Sequence, residues 1–131
     1  MTERRYLSPD SLPRPFGYSH VVEVPAGRTI YIAGQIPLDA DGELVGEGDV
    51  EAQARQVFEN LSRALDAAGA EWSDVVKLNF YVRDAGQSAS VRPIRDDYVD
   101  TERPPASTLV EVNRLFRDDV LIEVDAVAVA S

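Results

Sequence analysis

The sequence predicts an α+β domain in which a mixed β-sheet is backed on one face by two helices. Three observations predict it. One amphipathic run of helical period covers about residues 50–68. β-branched or alternating runs lie on both sides of it. Turn residues divide the chain in the order β-β-α-β-α-β-β. With 131 residues there is room for one core, so a single domain over 1–131 is expected, with residues 1–13 as an irregular lead-in.

The elements follow in order. Pro9, Pro13, Pro15 and Gly17 mark the lead-in as irregular. Tyr18 to Val24 reads as a strand ended by Pro25-Ala26-Gly27, and Thr29 to Ala33 as a second strand antiparallel to it. Asp41-Gly42 is a turn signal inside a short β excursion. Asp49 is placed to cap a helix from about Val50 to Ala68, because its carboxylate can accept from the free first-turn N–H groups. Val50, Ala54, Val57, Leu61 and Leu65 form its apolar face, and Gly69 is placed to end it in a left-handed conformation. Val76, Leu78, Phe80 and Val82 alternate with Lys77, Asn79 and Tyr81, the period of a half-buried strand. Ser88 to Tyr98 reads as a shorter helix with Pro93 in its first turn, where a missing N–H costs little. Ala106 to Val112 and Val120 to Val129 are the closing strands. Two helices cover only one side of this sheet, so its other face calls for self-association.

Composition narrows the function. Lys and Arg number 13 against 23 Asp and Glu, a net charge of −10 with no basic run. Nucleic acid and anionic membrane surfaces are therefore poor partners, because binding to phosphates rests on clustered cations. The chain contains no cysteine, which removes disulfides, thiol nucleophiles and zinc–thiolate sites. With one His, a His-rich metal site is not available within one chain. No apolar segment follows the N-terminus, and a cytoplasmic location is the expectation.

Several segments resemble the RidA (YjgF) family. They include Gly17-Tyr18-Ser19, Tyr31-Ile32-Ala33-Gly34-Gln35-Ile36-Pro37 and Asp41-Gly42-Glu43-Leu44-Val45. Helix residues Gln53-Ala54-Arg55-Gln56 and Ala67-Ala68-Gly69-Ala70 are similar too, as are Pro105-Ala106-Ser107-Thr108-Leu109-Val110-Glu111-Val112 and Ile122-Glu123-Val124-Asp125-Ala126. The resemblance implies a chorismate-mutase-like fold and a homotrimer whose sheets line a central barrel, with clefts between subunits. It implies cofactor-independent hydrolysis of 2-imino acids, or of enamine tautomers, to keto acids and ammonia.

The resemblance also implies a site. Glu123 matches the carboxylate that positions the attacking water, and Tyr18 a tyrosine whose hydroxyl faces the cleft. Gly34 matches a point of close backbone approach, and Leu109 stands in the motif that borders the ligand. Two positions depart from the pattern: Ser107 replaces the arginine that grips the substrate carboxylate, and Ala33 replaces a serine. A serine offers neither charge nor bidentate fork. Arg92, or less directly Arg14, is placed to supply the missing cation; the other reading of Arg92 is a solvated helix arginine. Glu123 is read either as an acid/base group or as the partner of an arginine across an interface. Glu111 leans structural, Gln35 supports its loop, and His20 is either a proton carrier or structural. Three functions compete. They are imine or enamine hydrolysis, a pathway-specific reaction on another scaffold such as an aminomuconate-like enamine, and non-catalytic binding of a small ligand or protein.

Overall fold

The computed structural model of the chain describes residues 4–131; residues 1–3 of the lead-in lie outside the described residues. The elements are β1 (Arg5–Leu7), β2 (Val21–Glu23), β3 (Arg28–Gln35), α1 (Val50–Ala67), β4 (Val75–Val82), α2 (Ser88–Asp96), β5 (Ala106–Glu111) and β6 (Ile122–Ala130). The main sheet has the order β3-β6-β4-β5. β6 runs antiparallel to both β3 and β4, whereas β4 and β5 are parallel. The mixed sheet with two helices is the architecture expected from the sequence.

Local chemistry explains α1. Asp49 Oδ1 accepts from Ala52 N at 3.1 Å, satisfying a first-turn donor. Val57, Phe58 and Leu61 are fully buried on one face, against β6 and β3. The helix ends where Gly69 takes φ 69° and Ala70 N donates back to Leu65 O at 2.9 Å.

Across the sheet, Leu78, Phe80 and Val82 of β4 share the helix-side face with Ala126, Val124 and Ile122 of β6, their register partners. A register shift between Val75 and Lys77 lets Val75, rather than Val76, reach the core. Phe58 closes this core beneath Trp72, Phe80 and Tyr98, with ring centroids 5.2–6.1 Å away.

Three expectations need correction. The lead-in is not irregular throughout, because Arg5–Leu7 forms β1 and pairs antiparallel with β2. Tyr18 to His20 are not part of a strand, and β3 does not pair with β2; it pairs with β6 instead. The Pro25-Ala26-Gly27 turn therefore passes the chain from a small two-stranded sheet to the main one. Pro93 lies inside α2, beyond its first turn. The β excursion is present as a single bridge between Leu38 and Leu44. Among the described residues no helix is long and apolar enough to cross a membrane.

The sheet face away from the helices is mixed rather than apolar. Tyr31, 80% exposed, and Val110, 41% exposed, stand on it beside Val127. Between them lies a polar cluster: Asp125 accepts from Asn79 Nδ2 and from the Tyr81 hydroxyl, each at 2.8 Å. Asp125 and Glu123 both raise the Tyr81 hydroxyl pKa, the hydrogen bond to Asp125 being the first cause.

Candidate active site

The residues singled out in the sequence fall into two groups on opposite faces of the sheet. β5 is parallel to β4 and its residues take the faces of their register partners, Ser107 with Leu78 and Leu109 with Phe80. Both therefore point to the helix side. There they line a cavity of about 250 Å³ between β5, α2 and the lead-in, together with Tyr18 and Arg92. Glu123 is the register partner of Tyr81 and so stands on the other face.

Each group has its own local cause. Tyr18 is held at the cavity through Ser19, which is bonded to the Pro104-Pro105 segment before β5. Ser19 N donates to Pro105 O at 3.1 Å, and Ser19 Oγ to Pro104 O at 2.6 Å. Its ring meets His20 edge-on, centroids 5.3 Å apart. The His20 ring N–H at Nε2 donates to Pro13 O at 2.6 Å, which makes His20 a structural clasp of the lead-in. Glu111 is also structural: Oε1 accepts from Ala85 N at 3.0 Å, fixing the turn before α2. Arg14 borders an adjoining recess that it shares with Arg92 and Phe16.

On the outer face, the register shift in β3 between Ile32 and Gln35 places Ala33 and Gly34 in a bulge against β6. Gln35 Nε2 closes the bulge on Ala33 O at 3.0 Å, the supporting role expected of it. The Glu123 carboxyl occupies the space a side chain at 34 would need: a Cβ there would lie 2.8 Å from Glu123 Cδ. Burial, and then the neighbouring Asp125 carboxylate, push the Glu123 carboxyl above its ordinary 4.5. Gly34 and Gln35 also border an open recess edged by Asn60 and Arg63.

Sequence reasoning passed over Arg95, which is 8% exposed and lines the same cavity as Ser107. Its guanidinium packs against the Gly17 backbone and pairs with Asp96, Nη2 to Oδ1 at 2.9 Å. Spacing held the signal: Arg95 follows Arg92 by three residues, so the two share a face of α2. Phe16, 72% exposed at the cavity mouth, was also missed.

Comparison with known proteins places the chain among relatives. The family model described as Endoribonuclease L-PSP matches residues 11–130. A RutC family protein of Pyrococcus horikoshii is 42% identical over 121 residues, 91% of this chain and 92% of its own. The 2-iminobutanoate/2-iminopropanoate deaminase of Salmonella typhimurium is 36% identical over 125 residues, 94% of this chain and 95% of its own. Among solved structures, a protein of unknown function of the conserved Rid family, YyfB from Yersinia pestis, superposes with a TM-score of 0.87 at 38% identity. That match covers 98% of this chain and 99% of the other. Family model, relatives and fold coincide over nearly the whole length: the chain belongs to the Endoribonuclease L-PSP family, the RidA/YjgF group that its motifs resemble.

Proposed function

We propose that the protein hydrolyses a reactive imine or enamine to a keto compound and ammonia, in a cleft completed by a second copy of the chain. The observation behind this reading is the Gly34–Glu123 pair. A carboxyl whose proton affinity burial raises stands over backbone that carries no side chain of its own, which suits a group that takes up and returns a proton. The Salmonella relative's name supports the reaction class.

In this scheme Glu123 takes a proton from water as its oxygen bonds to the C=N carbon, and the nitrogen gains a proton. The carbinolamine then collapses: the C–N bond breaks, ammonia leaves, and a C=O bond remains. Water is the only co-reactant. Tyr18 borders the cavity and offers a hydroxyl to the substrate's polar atoms. Because Glu123 and Ser107 face opposite ways, a single chain does not present both groups to one ligand. A homotrimer with β5 of one copy beside β3 of the next supplies the arrangement, since both are sheet edges.

The test is keto-acid release from 2-iminobutanoate generated in situ. Wild type is expected to exceed the spontaneous rate, and Glu123→Ala to lose about a hundredfold or more. A folded, assembled protein that is inert across a broad panel of imines overturns the proposal. Ser107 favours a second reading, a different enamine as natural substrate, because the usual carboxylate fork is absent from β5. Activity on such a scaffold but not on 2-iminobutanoate separates the two.

A further inference from the structure

The helix-side cavity has a cationic wall that the hydrolytic scheme does not require. Arg92 and Arg95 project from one face of α2 and both line the cavity. An adjoining recess of about 400 Å³ is bordered by the same two residues and by Arg14. Arg95 is buried and stays charged, so it must be compensated. Asp96 Oδ1 takes its Nε at 3.0 Å and its Nη2 at 2.9 Å. Among the described residues Nη1 meets no acceptor, and no fully buried side-chain polar atom lacks a partner. Among the described residues, Asp96 is the one carboxylate bordering the two spaces, against three arginines. In a chain of net charge −10, this is a local excess of positive charge.

Apart from the hydroxyls of Ser88 and Ser107, the rest of the cavity is apolar and aromatic: Phe16, Tyr18, Phe80, Val91 and Leu109. The cavity has a volume of about 250 Å³. A short-chain imino acid leaves much of that space, and the apolar wall, in contact with water. A larger side chain expels this water and gains from burial.

We infer that the cavity binds a carboxylate bearing an aromatic or branched apolar side chain, with its anion held from α2 by Arg92 and Arg95 rather than from β5. The inference rests on the hydrolase reading and names the substrate class for it. Arg95 is the fixed element, oriented by Asp96 and by the Gly17 backbone. Arg92 is exposed and closes on the ligand from solvent.

Isothermal titration with stable ketones tests this without an imine. Phenylpyruvate is expected to bind at least about tenfold more tightly than pyruvate, and than benzyl methyl ketone, which keeps the ring and lacks the charge. Arg92→Ala is expected to weaken phenylpyruvate binding by about tenfold, and in turnover to raise KM while leaving kcat nearly unchanged. Arg95→Lys keeps the charge, loses the fork and is expected to bind more weakly than wild type. If Arg95→Lys does not fold, Arg92→Ala still decides. Equal affinity for phenylpyruvate and pyruvate, equal affinity for the uncharged ketone, or an unchanged Arg92→Ala overturns the inference. Preferential binding of phenylpyruvate without hydrolysis of any imine supports the inference and removes the hydrolase reading. Hydrolysis of 2-iminopropanoate with no preference for the aromatic acid does the reverse.

Discussion

Gly34 and Glu123 fit together because one of them has no side chain. The Glu123 carboxyl lies where a Cβ at position 34 would stand, so the bulge in β3 fixes the carboxyl at the surface of β6. Replacing Gly34 by alanine forces the carboxyl to another rotamer without touching the core. Position 34 is exposed and φ there is not left-handed, so the stability change is expected within about 0.5 kcal/mol. Turnover is expected to fall about a hundredfold. Thermal melting beside steady-state kinetics reads both. Full activity in Gly34→Ala contradicts the placement of Glu123.

A pH dependence follows from the same carboxyl. Its folded pKa lies above 4.5, through burial first and Asp125 second. The folded chain thus keeps a proton that the unfolded chain has released. This favours the fold in full below the unfolded pKa and is lost as pH rises through the folded value. Wild type is expected to lose stability relative to Glu123→Gln across that window, and the difference to be flat above it. Urea unfolding at a series of pH values from 4 to 8, roughly the span of ordinary and raised carboxyls, measures it.

Asp125 offers a finer control. Asn in its place retains shape but removes the charge beside Glu123. Burial, the larger cause, remains, so the Glu123 pKa is expected to move down without returning to its ordinary value. The acid limb of the rate profile moves to lower pH. An unmoved limb means that another group sets it.

Gln53 is the polar anchor of the fold. It is fully buried; Nε2 donates to Gly46 O at 3.0 Å and Asp119 O at 2.9 Å, and Oε1 accepts from Leu121 N at 2.7 Å. Leucine there leaves the Asp119 carbonyl and the Leu121 N–H without partners, while Gly46 O still accepts from Asp49 N. A loss of about 3 kcal/mol is expected in equilibrium unfolding. A loss below about 1 kcal/mol would show that water replaces the amide.

Assembly is checked at Val110, exposed on the outer face of edge strand β5. Light scattering is expected to give three times the 14.4 kDa chain mass for wild type and a lower mass for Val110→Asp. A single-chain mass for wild type refutes the trimer.

How far the sequence could be read depended on the distance between partners. α1 was legible from cap to end because Asp49, its apolar stripe and Gly69 act within a few residues of one another. β3 was recognised as a strand, but its partner was not. Pro25-Ala26-Gly27 resembles a hairpin turn, whereas Arg28 pairs with Ala130 at the far end of the sequence. β1 has only three residues and no alternating pattern to announce it. Within the candidate site, Tyr18, Ser107, Leu109 and Arg92, which the sequence singled out, all line one cavity. That Glu123 faces away from them emerges only from sheet register. Arg95 went unnoticed because a helix arginine is ordinarily solvated, and only the packing of Gly17 against it reveals its burial.

The position of β6 also bears on how the protein is made. The strand that joins β3 to β4 is the last of the six in sequence. During synthesis, β3, α1, β4, α2 and β5 all leave the ribosome before the strand that unites them. Until then β3 has no neighbour in the main sheet, and the apolar face of α1 lacks the cover that β6 gives it. The nascent chain is thus exposed to mispairing until residues 122–130 emerge, and sheet formation is a late event with high loop-closure entropy.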